Sequence, residues 1–196
     1  MFSFEFTFLT LWNGVDNIRA DYINGDNFSH ILSALMPPNR LALIVSLTTG
    51  LRIDDVLSLK TEDVKKDRFT IKEMKTGKRR RIRLQKSLRD RLLQQAGRIY
   101  VFEHRLDYKK HRTRQAVNKD LKRACELFRV KGVHLSPHSA RKIYAVEEYK
   151  RTCSLKRVQE LLNHSDEAVT ILYAMADELT AKEQKRQRVS VSLPEC

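Results

Sequence analysis

Residues 68–84 constrain the fold of this chain most. On either side of Lys75-Thr76-Gly77-Lys78, residues 68–74 and 79–84 set apolar side chains at alternate positions, Phe69 and Ile71 in the first arm and Ile82 and Leu84 in the second. Two β-type arms joined by a short glycine-containing turn read as a hairpin. Side chains alternate across a strand, so Arg79, Arg81 and Arg83 share one face, opposite Arg80, Ile82 and Leu84. Most of the remaining chain has helical patterning. An apolar helix spans 39–49 and stops at Gly50, a residue suited to a left-handed C-terminal cap. A short helix follows over 53–59, with Arg52 at its start. Further helices are expected near 86–96, 114–129, 138–150, 155–162 and 166–177. Ser136-Pro137 is a start signal for the helix that carries His138, with serine as cap and proline in the first turn. Residues 2–8 alternate like a strand, whereas 12–28 are polar and irregular and receive no element.

A chain of 196 residues with 41% apolar content makes one large domain, or a domain with a small appendage. Its net charge is +14, and the excess is unevenly placed. Residues 1–50 hold Arg19 and Arg40 against Glu5, Asp16, Asp21 and Asp26, a net of −2, so the rest carries +16. That asymmetry points to a polyanionic partner on the main body. No apolar run reaches membrane length. The apolar N-terminus lacks a basic leader and carries Glu5, which argues against a signal peptide. Cys125, Cys153 and Cys196 have neither metal-ligand spacing nor a disulfide framework, as suits a reducing cytosol.

Six polar residues recur in short strings along the chain. Arg52 closes Thr48-Thr49-Gly50-Leu51-Arg52, and Lys75 opens Lys75-Thr76-Gly77-Lys78. His138 and Arg141 frame His138-Ser139-Ala140-Arg141. His164 ends Leu161-Leu162-Asn163-His164, with Tyr173 nine residues on. Taken singly, each has an ordinary reading: surface or ion-paired arginines, a solvated turn lysine, structural histidines, a half-buried tyrosine. As an ordered set, with 23 residues from Arg52 to Lys75 and 23 from Arg141 to His164, they resemble the catalytic domain of the tyrosine recombinases, the phage-integrase family. The resemblance runs from about Ala34 to about Glu178. Two positions depart from the family pattern. Asn163 stands where glycine is usual, and asparagine tolerates the left-handed backbone. Ala140 stands where leucine is usual, a change of packing.

The resemblance implies an α+β, mainly α-helical catalytic domain with a small antiparallel β-sheet. It divides the chain into a short N-terminal segment (1–33), a catalytic domain (34–179) and a C-terminal tail (180–196). Family members usually carry an upstream helical domain, and 1–33 is too short for one. The implied activity is site-specific cleavage and rejoining of double-stranded DNA through a 3′-phosphotyrosine. Tyr173 is then the nucleophile, and Arg52 and Arg141 hold the non-bridging oxygens with guanidinium forks. Lys75 protonates the leaving 5′-oxygen. His138 and His164 bond the phosphate or carry the tyrosine proton. Lys78 rivals Lys75 on geometry, and the family pattern favours Lys75. Asp55, one turn from Arg52, matches the family's acidic position and is expected to hold that arginine.

Expected partners are DNA, a homo-oligomer in a synaptic tetramer, and accessory DNA-bending factors, with no membrane partner. The expected location is the cytoplasm of a prokaryotic or phage-derived system. The basic stretches 78–83 and 109–114 are expected on phosphates. The tail after Tyr173 is expected to dock on a neighbouring protomer. No cofactor is expected: there is no Walker-type loop, and Asp54-Asp55 and Glu147-Glu148 are isolated pairs that read as surface groups. His30, His104, His111 and His134 fall outside the strings and are read as structural or solvated. Two alternatives remain open: a monomeric strand-passing enzyme similar to the type IB topoisomerases, and a non-catalytic DNA-binding or regulatory remnant.

Overall fold

Eight helices and a two-stranded antiparallel sheet make up the described part of the computed structural model, which covers residues 25–130 and 132–162. In chain order these are α1 (Gly25–Ser33), α2 (Pro37–Thr49), α3 (Ile53–Leu57), α4 (Thr61–Val64), β1 (Arg68–Lys72), β2 (Arg79–Arg83), α5 (Lys86–Gln95), α6 (Arg114–Leu127), α7 (Pro137–Thr152) and α8 (Leu155–Leu162). The expected mainly helical fold with a small sheet is the one observed. The strand-like 2–8, the helix over 166–177, His164, Tyr173 and the tail lie outside the described residues. No helix among the described residues is long and apolar enough to cross a membrane.

α2 forms the centre. Its prolines sit at the first positions, where a missing N–H costs nothing, and Leu41, Ala42, Leu43 and Val45 are all buried. Gly50 ends it in the left-handed region at φ 66°, with its N–H on the Ser46 carbonyl. A β-carbon there would strike the ring of Tyr144, so both the turn and the approach of α7 require glycine. α7 packs along α2, α3 packs at its C-terminal end, and α8 packs on α7. The core joins Leu43, Leu51, Leu57, Leu92 and Leu121, all fully buried. Such side chains contribute about 1.5–3 kcal/mol each relative to exposure.

α1 and the one-turn α4 are elements the sequence did not reveal. Phe28, Ile31 and Leu32 enter the same core, and α1 packs on α6. The packed unit therefore includes the last turns of the 1–33 segment.

The hairpin register pairs Arg68 with Arg83, Phe69 with Ile82, Thr70 with Arg81, Ile71 with Arg80 and Lys72 with Arg79. Phe69 and Ile82 are buried, whereas Arg79, Arg81 and Arg83 are exposed, matching the expected alternation. The outer face thus sets like charges directly opposite each other, an arrangement that weakens a sheet in isolation. Asp67 sits near Arg68, Arg83 and Arg89 at 3.9, 3.7 and 3.4 Å and offsets one end.

Candidate active site

A cleft of about 650 Å³ opens between α3, the hairpin turn, α6 and α7, lined by Arg52, Asp54, Asp55, Met74, Lys75, Arg114 and His138. Three residues picked out by their sequence strings therefore meet on one surface. Arg52 is the N-cap of α3 and is largely buried. Lys75 is exposed on the turn that joins β1 to β2. His138 is exposed in the first turn of α7. Of the two lysines on that turn, Lys75 lines the cleft.

Local chemistry sets each position. At α7, Ser136 Oγ accepts from the His138 N–H at 3.2 Å, and the Ser136 N–H donates to Ser139 Oγ at 3.3 Å. This reciprocal cap fixes where the helix starts, and so fixes His138 at the cleft edge. Around Lys75, the Glu73 N–H donates to the Lys78 carbonyl (2.9 Å) and the Gly77 N–H to the Glu73 carbonyl (2.8 Å). Gly77 takes φ 66°, the conformation glycine adopts most readily.

Arg141 is 1% exposed. Its Nη1 donates to the Gly50 carbonyl, and its Nη2 to the Leu162 carbonyl at 2.8 Å. The Gly50 carbonyl lies at the C-terminal end of α2, where the peptide dipoles favour a cation. The guanidinium thus bridges the C-cap of α2 and Leu162 of α8. Its charge still reaches the cleft, because it acts on the carboxyl of Asp55.

Asp55 differs from its sequence reading. It is 3% exposed, not a surface group, and its Oδ1 accepts from the Met74 N–H at 2.8 Å. Burial, opposed by that hydrogen bond and by Arg52 and Arg141, raises its carboxyl above the ordinary value. Its Oδ2 is buried without a hydrogen-bond partner among the described residues. Glu73, which the sequence reading passed over, forms an ion pair with Arg52: Arg52 Nη1 lies 3.1 Å from Glu73 Oε2. Glu73 is fully buried, with Arg80 Nη1 at 3.6 Å from its Oε1. Burial lowers the proton affinity of Arg80, and Glu73 opposes that effect. Asp54 is half exposed and faces Arg114 across the cleft at 3.8 Å. Glu147 and Glu148 do pair on the surface, with Lys150 and Arg151. Near the site, burial raises the Tyr144 phenol above its ordinary value, which keeps that hydroxyl protonated.

This fold, with basic and acidic side chains converging from α3, a hairpin turn and α7, defines a class that the comparisons identify. A sequence model of the phage integrase family matches residues 21–179, and the chain belongs to that family. A Bacillus subtilis protein described as probable integrase/recombinase YoeC is 29% identical over 148 residues, covering 71% of this chain and 78% of that protein. Tyrosine recombinase XerA of Pyrococcus furiosus is 30% identical over 155 residues, covering 75% of this chain and 52% of that protein. Among solved structures, a lambda integrase dimer bound to a COC′ core site superposes with a TM-score of 0.67 at 20% identity. That match covers 79% of this chain and 48% of the other, and it is a likeness of fold. The chain thus spans about half the length of XerA and of that integrase.

Proposed function

We propose that this chain is the catalytic part of a site-specific DNA recombinase that cuts and rejoins strands through a 3′-phosphotyrosine. The observation that carries the reading is the convergence of Arg52, Lys75 and His138, from three separate elements, on one cleft. In the proposed step, the Tyr173 phenol loses its proton toward His138 or His164, and its oxygen bonds to phosphorus. The bond from phosphorus to the 5′-oxygen breaks, and the Lys75 ammonium protonates that oxygen. Arg52 and Arg141 stabilise the charge on the non-bridging oxygens, which is greatest in the transition state. Rejoining is the reverse reaction. The phosphotyrosine conserves the energy of the phosphodiester, so the cycle has no need of ATP.

Residues 34–179 carry this chemistry in our reading, with duplex DNA as substrate and further copies of the chain as synaptic partners. Accessory DNA-bending factors and docking of the 180–196 tail on a neighbour belong to the same proposal. The net charge of +16 beyond residue 50 supports a DNA partner, and the same proposal puts the chain in the cytoplasm. The test is covalent capture. Nicked duplexes from a randomised pool are incubated with the protein, and adducts surviving denaturant are isolated. The wild type should capture DNA, and Tyr173→Phe should capture none while still binding it. An adduct formed equally by Tyr173→Phe removes Tyr173 as nucleophile.

A further inference from the structure

Glu73 lies two residues before Lys75 and is fully buried, yet no step of the proposed chemistry uses it. Its position is unusual. The backbone of Glu73 closes the base of the Lys75 turn through both its N–H and its carbonyl. Its side chain leaves the sheet inward, where Oε2 accepts from Arg52 Nη1 at 3.1 Å and from Thr76 Oγ1 at 3.0 Å. Thr76 Oγ1 in turn accepts from the Lys78 N–H at 3.3 Å. One carboxylate oxygen therefore joins the arginine of α3 to the residue next to Lys75. On the other side of Lys75, the Met74 N–H is held by Asp55 at 2.8 Å. The turn is thus tied to the start of α3 on both flanks of the lysine, while the lysine side chain stays in solvent at the cleft.

We infer that Glu73 is a positioning residue, whose buried carboxylate sets the Lys75 turn in register with Arg52. The inference rests on the reading of Lys75 as the acid. Charge makes glutamate suited to the place. Arg52 and Arg80 both face this carboxylate, and charge-assisted bonds to it are stronger than bonds to a neutral amide. A neutral amide leaves two adjacent guanidiniums repelling each other, and the tie through Thr76 weakens. Misplacing a reacting group by about 1 Å costs on the order of 10²-fold in rate.

The experiment compares single-turnover cleavage by the wild type, Lys75→Ala, Glu73→Gln, Thr76→Val and Thr76→Ser. The substrate is a nicked duplex captured by the wild type, made with either oxygen or sulfur at the 5′ leaving position. A thiolate leaves without a proton, so sulfur rescues a defect confined to the acid. Lys75→Ala is the control: without rescue there, the acid reading itself fails. Given that rescue, Glu73→Gln and Thr76→Val should lose about 10–100-fold on the oxygen substrate and recover most of it on sulfur. Thr76→Ser, which keeps the hydroxyl, should stay near wild type. If Glu73→Gln does not fold, Thr76→Val decides, since it cuts the tie with little change of shape. Equal losses on both substrates, or no loss on either, overturn the inference. Hydrogen exchange at the Gly77 amide should rise in Thr76→Val, and this readout needs no DNA. Unchanged exchange would also count against Glu73 as the anchor of the turn.

Discussion

On the hairpin side of the cleft, Arg52 is held by a side chain, Glu73 at 3.1 Å. On the α7 side, Arg141 is held by main-chain carbonyls, those of Gly50 and Leu162. The first arrangement is written in residue identities, and one atom of charge can change it. The second is written in the placement of two main-chain carbonyls, and any residues that keep the backbone there preserve it. Two arginines proposed for one phosphate thus depend on different levels of the structure.

The largest effect is expected for Arg141→Ala. Cleavage should fall on the order of 10²–10³-fold, as when one donor to a transition-state oxygen is deleted. Stability should fall as well, because two carbonyls lose their donor, at about 1–3 kcal/mol each. A thermal melt identical to wild type would break the contrast, since the carbonyl bonds would then hold nothing.

Arg52→Ala should slow cleavage to a similar degree with a smaller loss of stability. Glu73 keeps Arg80 at 3.6 Å and Thr76 at 3.0 Å, so its charge is not stranded. Denaturant titration should show less than the about 3–5 kcal/mol typical of a buried charge left unpaired. A loss in that range would mean that Arg80 does not compensate.

Asp55→Asn sharpens the comparison through pH. Burial raises the Asp55 carboxyl above 3.8. The folded protein therefore holds that proton more tightly than the unfolded chain does. The contribution of Asp55 to stability is largest at low pH and declines as pH rises from 3.8 through the folded value. Urea melts across that window should show the variant gaining on the wild type as pH rises. A constant difference would mean that Asp55 titrates normally. The smallest effect belongs to the hairpin face. Arg81→Gln should reduce the slope of log affinity against log salt for duplex DNA by about 0.9, one phosphate contact. An unchanged slope would place the DNA elsewhere.

Much of this was readable in advance because it is local. The hairpin follows from alternation around Lys75-Thr76-Gly77-Lys78, the end of α2 from Gly50, and the start of α7 from Ser136. Arg52 was expected at a helix start and is the N-cap of α3. The misses share a different cause. α1 begins in a stretch whose Asn24-Gly25 reads as a turn, although Phe28, Ile31 and Leu32 have the i, i+3, i+4 spacing of a buried helical face. Glu73 looks like a solvated strand end, and only the approach of α3 to the hairpin, 21 positions apart in sequence, makes it a core carboxylate. The partners of Arg141 are 91 and 21 residues away and are backbone atoms, which no side-chain pattern encodes. The proposed roles of His164 and Tyr173 rest on their strings alone.

The paired cations on the hairpin bear on self-association. Among the described residues the sheet has two strands and two edges, and a sheet edge can recruit a strand from another molecule. Arg68, Lys72, Arg79, Arg81 and Arg83 crowd the solvent face between those edges, so a second hairpin arriving edge-on would bring its own row of cations alongside. The arrangement that weakens the sheet internally therefore also resists fibre-like stacking between copies. Neutralising several of these positions at once should give a hairpin that is firmer in isolation and a protein that is harder to keep in solution.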